Sequence, residues 1–503
     1  MYLQYFICFV GGLLAAVSQP TFFLVPFIIL GYSVFLTQLN YFNNYKENFY
    51  AGLSFGIGFF SVSIHWIIFP LRLDKNYEEL SFFIAFLFIL SLSFFYAFSA
   101  LAIRFYSLRL KVRSRFFLDV YIFSLIFFFF EILRSNILSG FPWNISAHIW
   151  GFDHRMYGIV KFIGVEALSF VTIFWVVLTS KLLLADQKIS SMLSFICLPL
   201  FLILSSNIIL KNSEKKESLN IRLIQPNIPQ KIKWDRKHYL NNLKNLIKLS
   251  NSKTSLEEEI DLIIWPESAI PFFIENNQED LIFFKKNFSP KQNLILGAIR
   301  KSTSNNDKLF NSFFHIKNGK IISVYDKINL VPFGEFIPFR KLIPLKKITE
   351  GSTDFSKGLD KKLLRLKNNN NEIYIQPSIC YEGIFPYNIT TTPFPNVIIN
   401  ITNDAWFGAT TGPGQHLTAT RFRALEIGLP LIRVANTGIS GFYNQNGKAI
   451  KSLGLNERGK IDAKVFFRSD GKVAPTNKII ILLFLIFFIA ILCISKDFLK
   501  KNS

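Results

Sequence analysis

Three residues of different chemistry each end a short apolar stretch in the second half of the chain. The stretches LIIWPE, VYDK and IQPSIC end on Glu267, Lys327 and Cys380. A carboxylate can take the proton of a thiol, the resulting thiolate is a strong nucleophile, and an ammonium stabilises negative charge nearby. Glu, Lys and Cys together therefore supply the groups that acyl transfer through a thioester requires.

A pairing of Cys380 with a histidine is the alternative arrangement. His315 and His416 lie in the same half of the chain. We favour lysine as the partner because Lys327 lies in the densest motif of the region, and we expect His416, in GPGQHL, to order a loop or cap a helix. Since free cysteines are often small core residues, the residue type alone does not decide between a reactive and an inert Cys380.

Alternating strands and helices are predicted around these residues. Predicted strands are IRLIQ (221–225), DLIIW (261–265), NLILGAI (293–299), FNSFFHIK (310–317), KIISVYDK (320–327), EIYIQPSIC (372–380), NVIINIT (396–402) and LIRVANTG (431–438), and predicted helices lie near 236–251, 278–288 and 415–428. Because the carboxyl ends of parallel strands meet at one edge of a sheet, we expect the three side chains to converge there. Asn403 and Asp404 end another strand.

The rest of the chain is too apolar for an ordinary soluble protein. Of 503 residues 50% are hydrophobic, with 57 Phe. Runs of about the length that crosses a bilayer occupy 3–19, 21–39, 50–70, 81–103, 116–133, 164–184, 191–211 and 477–494. We therefore predict a multi-span α-helical membrane domain of seven helices at 1–211, an α/β domain at 212–476, and an eighth helix with a short cytoplasmic tail at 477–503.

Charge in the short loops predicts the orientation of these helices. With the N-terminus inside, the inner loops hold more Lys and Arg than the outer ones, chiefly in RFYSLRLKVRSR (104–115). The α/β domain then faces outward, in an oxidising compartment. The net charge of +22 fits basic cytoplasmic loops near anionic lipid, and no motif predicts nucleic-acid binding.

Taken together, the polar motifs resemble those of bacterial apolipoprotein N-acyltransferases, a membrane-embedded branch of the nitrilase, or carbon–nitrogen hydrolase, superfamily. The matching stretches are QPNIPQKIKWD (225–235), WPESAIPF (265–272), YDKINLVPFGEFIP (325–338), ICYEGIFP (379–386), and NITNDAWFG with GPGQHL (400–417). The order of the motifs and the arrangement of seven spans plus one also resemble the family. The resemblance implies an α-β-β-α sandwich for the outer domain.

The resemblance also implies roles for single residues. Glu267 is the general base, Lys327 stabilises the oxyanion and Cys380 is the nucleophile. The supporting residues are Glu335, an additional acid that holds the triad, and Tyr381 and Glu382, which follow the nucleophile. The backbone N–H of Tyr381 is expected to be a second oxyanion donor, and Trp234 is expected near the mouth of the site. Asn329 departs from the histidine that is frequent in the family at its position, which bears on local hydrogen bonding only.

The implied reaction moves a fatty acyl chain from a membrane phospholipid, through a Cys380 thioester, to the α-amino group of a diacylated apolipoprotein. The implied location is the bacterial inner membrane, with the catalytic domain on the periplasmic side. We expect a monomer that needs neither cofactor nor metal. The alternatives are a membrane-bound amidase or nitrilase that transfers the acyl group to water, and a transporter with an outer sensor domain. Few charged residues within the spans argue against the transporter.

Overall fold

The computed structural model describes residues 1–75, 77–109, 116–209, 217–254, 256–270, 273–274, 278–302, 308–340, 353–359, 362–368, 371–387, 389 and 393–467. The described residues form two compact units. The first contains residues 1–65 and 82–209, and the second contains 66–81 and 217–467. The second unit thus includes a short segment that the predicted boundary at 211 assigns to the membrane domain.

The first unit is helical, and its long helices are apolar. They are α1 (Tyr2–Ala16), α2 (Pro26–Tyr41), α3 (Tyr45–Ser63), α5 (Ser81–Arg109), α6 (Phe116–Asn136), α7 (His154–Tyr157), α8 (Val160–Leu184) and α9 (Lys188–Ile209), with α4 (Ile68–Leu73) belonging to the second unit. Helices α1 and α3 approach closely at Gly12, where an added β-carbon would lie 2.0 Å from the carbonyl oxygen of Phe55. Glycine at such a contact lets two apolar helices pack backbone to backbone.

The described residues contain four or five helices of membrane-spanning length, where the sequence predicts seven spans. In the part of the chain that the structure describes, α5, α6, α8 and α9 are long and apolar enough, and a fifth is added if α3 and the helix after it count as one broken span. Helix α1 has 15 residues and α2 has 16, because the backbone turns between them at Thr21 and Phe23, both with positive φ. The predicted span at 477–494 lies outside the described residues.

The second unit contains two six-stranded sheets. One has the order β12-β1-β2-β3-β4-β5 and the other β11-β10-β9-β8-β7-β6. The strands are β1 (Glu217–Gln225), β2 (Leu262–Ile264), β3 (Asn293–Lys301), β4 (Leu309–Lys317), β5 (Lys320–Asp326), β6 (Leu364–Asn368), β7 (Asn371–Ile379), β8 (Val397–Thr402), β9 (Leu431–Ala435), β10 (Ser440–Tyr443), β11 (Ala449–Leu453) and β12 (Gly459–Phe467). Strands β1, β2 and β3 run parallel to one another, and so do strands β7, β8 and β9.

Helices cover the outer faces of the two sheets. They are α10 (Gln230–Lys233), α11 (Arg236–Ser250), α12 (Gln278–Asn287) and α13 (Gly412–Glu426). A central apolar core joins both sheets, with Leu223 and Phe313 from one and Ile399 and Ile432 from the other. Further cores lie beneath α11 and α12 and beneath α13. The layers are therefore helix, sheet, sheet and helix, and all eight predicted strands and all three predicted helices are present, whereas β6 and β10–β12 were not predicted.

The segment 66–81 packs on the loop that leads into α13. Trp66 is buried, donates from its indole N–H to the side-chain oxygen of Gln415 at 3.0 Å, and packs edge-on against Phe407 at 4.7 Å between ring centroids. Phe69 faces Gly408, where an added β-carbon would lie 2.7 Å from the Phe69 ring. Gly408 also has a φ of +63°, so glycine is required there on two grounds. A short piece from between apolar helices thus completes the second unit.

Candidate active site

Glu267, Lys327 and Cys380 follow the carboxyl ends of β2, β5 and β7. Strands β2 and β3 are parallel, and two antiparallel pairings then bring β5 back to the same direction. The three residues are buried, with exposed fractions of 6%, 1% and 8%. The structure thus brings them together at one edge of the sandwich.

The Glu267 carboxylate is fixed by two donors. Its Oε1 accepts from the side-chain amide of Asn311 at 2.7 Å, and its Oε2 accepts from the backbone N–H of Asn403 at 2.8 Å. The Lys327 ammonium lies 3.6 Å from Oε1. A carboxylate held in this way faces the site in one orientation, as a proton acceptor must.

Glu335 holds Lys327 more closely than Glu267 does. The Lys327 Nζ is 2.9 Å from the Glu335 carboxylate, which also accepts from Asn311 at 2.9 Å and from the backbone N–H of Val331 at 2.8 Å. Burial lowers the pKa of Lys327, but the carboxylates of Glu335 and Glu267 raise it by more, and the net direction is well upward. The Lys327 side chain is therefore positively charged at neutral pH.

The Cys380 thiol is protonated at rest. Burial raises its pKa to about 12, the Glu267 carboxylate adds to the rise, and the Lys327 ammonium opposes it. A neutral thiol at this position needs a base at the moment of attack, and Glu267 is the carboxylate that acts on it most strongly.

The backbone at Cys380 is in the left-handed region, with a φ of +50°. This conformation is unfavourable for a residue with a β-carbon and persists only where neighbours enforce it. The Cys380 carbonyl oxygen accepts from His416 Nε2 at 3.1 Å and from the Asn400 side-chain amide at 3.4 Å. The turn that presents the thiol is thus clamped through its carbonyl.

A buried ion pair of Asp404 and Arg433 holds the residues that bind the Cys380 carbonyl. Asp404 bonds to Arg433 at 2.9 Å and to the Nδ1 of His416 at 2.9 Å, and all three side chains are fully buried. Burial alone would raise the pKa of Asp404, but Arg433 and His416 hold it well below its usual range. Arg433 also donates to Asn400 at 2.5 Å, so both residues that bind the Cys380 carbonyl are held by one charged cluster.

Glu382 links the two loops that carry Lys327 and Cys380. Its Oε1 accepts from the Tyr325 hydroxyl at 2.9 Å and from the backbone N–H of Ile328 at 2.6 Å, and its Oε2 accepts from the backbone N–H of Ile379 at 2.8 Å. Glu382 is therefore placed to fix the distance between the ammonium and the thiol. Burial raises its pKa.

The remaining predicted site residues have simpler surroundings. Tyr381 is buried in the turn after the nucleophile, with its ring 5.0 Å from Phe385. Trp234 directly follows α10 and is half-buried. Its position near the mouth of the site stays a prediction, as does the oxyanion role of the Tyr381 N–H.

The two histidines of the alternative arrangement have partners other than the thiol. His416 binds the Cys380 carbonyl, and His315 lies at the start of the β3–β4 pairing, 3.0 Å from Asn293. In the described ranges, no group of three or more His, Cys, Asp or Glu side chains is arranged to hold a metal ion.

Sequence reasoning missed four residues that lie at the site. They are Lys233, whose ammonium donates to the backbone carbonyl oxygen of Glu267 at 3.1 Å, and Asn311, Asn400 and Arg433. Lys233 lies inside the QKIKWD stretch and Asn400 inside NITNDAWFG. Both therefore belong to motifs that resemble the family, but no role was predicted for either. Asn311 and Arg433 stand inside apolar strands, where a lone polar residue is the signal that could have found them.

Two family models match the chain. Residues 220–468 match the carbon–nitrogen hydrolase family, and residues 11–178 match the N-terminal domain of apolipoprotein N-acyltransferase. The match to the first agrees with the two-sheet architecture. A solved structure of Nit3 from Saccharomyces cerevisiae, a member of the nitrilase superfamily, is 16% identical, with a TM-score of 0.38 over 51% of this chain and 93% of that one.

Curated relatives resemble the chain over nearly all of its length. Proteins named apolipoprotein N-acyltransferase from Rickettsia prowazekii and Rickettsia bellii are each 33% identical, over 91% and 97% of this chain and the same shares of the relatives. The protein of that name from Rhizobium leguminosarum is 33% identical over 83% of this chain and 80% of its own length. With both family models in order along one polypeptide, the chain belongs to the apolipoprotein N-acyltransferase family.

Proposed function

We propose that this protein transfers a fatty acyl chain from a membrane phospholipid to the α-amino group of a diacylated apolipoprotein, through a thioester on Cys380. The observation that carries the proposal is the buried cluster of Glu267, Lys327 and Cys380 in a chain whose other unit consists of apolar helices. A lipid acyl donor is reached most directly by an enzyme that lies in the bilayer.

In the first half-reaction the acyl group moves to the enzyme. Glu267 takes the Cys380 proton as the sulfur attacks the ester carbonyl carbon, and the carbonyl π pair moves to oxygen. The Lys327 ammonium and the backbone N–H of Tyr381 stabilise this oxyanion. Its collapse breaks the C–O bond, and Glu267 returns the proton to the departing lysophospholipid oxygen.

In the second half-reaction an amine takes the acyl group. The α-amino nitrogen of the lipoprotein N-terminus attacks the thioester carbon, Glu267 accepts a proton from that nitrogen, and the C–S bond breaks as the amide forms. The sulfur then recovers its proton from Glu267. Glu335 acts through Lys327, which it holds at 2.9 Å, and Glu382 acts through the two loops that it joins.

The test is the mass of the Cys380 peptide from protein purified out of membranes. We expect a hydroxylamine-sensitive fatty acyl adduct in the natural protein, none in Cys380→Ser because a hydroxyl is far harder to deprotonate, and none in Glu267→Gln because an amide takes no proton. Lys231→Met, an exposed change on α10, is the matched control and should keep the adduct.

The fate of the adduct separates acyl transfer from hydrolysis. Addition of a synthetic diacylated lipopeptide with a free N-terminus should discharge the thioester and add one acyl chain to the peptide. Discharge to free fatty acid at the same rate with and without the lipopeptide would identify a hydrolase instead. A Cys380 that never carries an adduct, together with normal lipopeptide acylation, would overturn the thioester mechanism.

A further inference from the structure

Lys233 is a second buried lysine beside the site. It is 4% exposed and ends the short helix α10 immediately before Trp234. Its ammonium donates to the backbone carbonyl oxygen of Glu267 at 3.1 Å. Lysine is almost never fully buried without a charged partner, so this position requires an explanation.

The two lysines differ in what they bind. Lys327 is engaged by the carboxylates of Glu335 and Glu267 at 2.9 and 3.6 Å. Across the described parts of the chain, Lys233 has no carboxylate within 4 Å, and a carbonyl oxygen neutralises none of its charge. Of these two lysines, Lys233 is thus the one whose charge is not balanced by a neighbouring carboxylate.

The bond to the Glu267 carbonyl oxygen places the Lys233 ammonium beside one of the proposed reacting residues. The Glu267 carboxylate raises the pKa of Lys233, and the Cys380 sulfur does so when it is negative. The charged residues at the start of α11 (Asp235, Arg236, Lys237 and His238) are solvent-accessible and screened. Burial lowers the pKa of Lys233 to about 8, with Glu267 and Cys380 opposing the fall.

We propose that Lys233 is the second cation of the site, and that its ammonium stabilises the negative charge that develops on the Cys380 sulfur and then on the acyl carbonyl oxygen. This inference rests on the proposed function for the identity of the acyl group, but not for the effect on the thiol. No bond to Lys233 forms or breaks, and its charge is constant through the reaction.

The proposal explains why an unpaired charge is kept at this position. The charge of Lys327 is already shared between the carboxylates of Glu335 and Glu267, so this lysine stabilises a thiolate only weakly. Burial of Cys380 opposes the formation of that thiolate as well. A second ammonium that has no carboxylate partner in the resting enzyme is available when the sulfur becomes negative. The stabilisation should disappear when Lys233 loses its proton, near pH 8.

The test measures the alkylation rate of Cys380 by iodoacetamide, a neutral probe, in purified full-length protein from pH 6.5 to 10 (mass spectrometry of the Cys380 peptide separates it from the other cysteines). Three variants separate the effect of the Lys233 charge from the effect of its hydrogen bond. Lys233→Met removes both, Lys233→Gln removes the charge and keeps an N–H donor, and Lys233→Arg keeps both. Lys231→Met, an exposed change on the same helix, is the matched control.

We expect Lys233→Met and Lys233→Gln to be alkylated about tenfold more slowly than the natural protein at pH 7, which corresponds to a rise of about one in the thiol pKa. The gap should close toward pH 10, where the natural Lys233 is itself neutral. Lys233→Arg should keep the faster rate at both ends, and Lys231→Met should match the natural protein throughout.

Three outcomes would overturn the proposal. One is an unchanged rate in Lys233→Gln at pH 7. Another is a rate difference that does not vary with pH, which indicates a change of shape rather than of charge. The third is a defect in Lys233→Met that Lys233→Gln restores, which assigns to Lys233 only the bond to the Glu267 carbonyl. Since alkylation needs no lipid, these results stand apart from the acyl-adduct test of the proposed function.

Discussion

Replacement of Asp404 by Asn should weaken the second unit more than any exposed charge change. Asparagine has nearly the same shape but no charge, so Arg433, which is fully buried, would be left without its anion. Removal of one partner of a buried ion pair costs about 3–5 kcal/mol. The change also replaces the oxygen Oδ2, to which Arg433 donates, by an amide nitrogen that carries its own hydrogens, so we expect the upper part of that range.

Thermal unfolding followed by tryptophan fluorescence measures this loss. For a unit of this size, 1 kcal/mol corresponds to about 2–4 °C, so the second unit should melt roughly 10 °C lower in Asp404→Asn at pH 7. Glu258→Gln is the control, because Glu258 pairs with Lys464 at the surface at 3.0 Å. Exposed ion pairs contribute little to stability because water and salt screen them, and this variant should melt within a few degrees of the natural protein.

The pH dependence gives a second check. Because the pKa of Asp404 is lower in the folded protein than in the unfolded chain, its contribution is complete above its ordinary value near 4 and is lost as the pH falls below it. The difference between Asp404→Asn and the natural protein should therefore be constant from pH 7 to about pH 5 and should shrink progressively as the pH falls below about 4. An Asp404→Asn protein that melts with the natural one at pH 7 would refute the account of this cluster.

The remaining predictions concern charge and orientation. Glu335→Gln should leave Lys327 buried with one carboxylate fewer, so that burial lowers its pKa, and the alkaline limit of acyl transfer should move to lower pH in a pH–rate profile. Lys327→Met should lower the rate of Cys380 acylation by about 10²–10³, the usual loss for one oxyanion donor, as measured by the acyl-adduct mass over time. In intact spheroplasts, an impermeant thiol reagent should label Cys380 after hydroxylamine treatment, because we expect the domain 212–476 to face outward. Labelling only after lysis would contradict that orientation.

The sequence was most informative where a polar residue comes just after the end of an apolar strand. Glu267, Lys327 and Cys380 each follow such a strand, and the strand ends that carry them lie at the same edge of the two packed sheets, which explains why residues so far apart in sequence approach one another. The ion pair of Asp404 and Arg433 was not predictable in this way, because 29 residues separate its members and nothing local marks the pairing. Lys233 was overlooked because a lysine on a short helix between Pro229 and Trp234 is normally solvated.

The helices of the first unit show a different limit. Hydropathy detects an apolar run but not the point at which the backbone leaves the helix. Between α1 and α2 the left-handed conformations of Thr21 and Phe23 shorten both helices, and neither residue type favours that conformation. Local propensity therefore predicted longer spans than the chain forms there.

The contact of Trp66 with Gln415 and Phe407 makes the hydrolase fold discontinuous in the polypeptide. A fragment that began at residue 217 would retain both sheets and all of the proposed catalytic groups. It would lack the indole that covers Phe407 and bonds to Gln415, on the same helix that carries His416. The fold therefore cannot be treated as an interchangeable module joined to a membrane anchor. Excision, fusion or exchange of this domain has to carry residues 66–81 along with it.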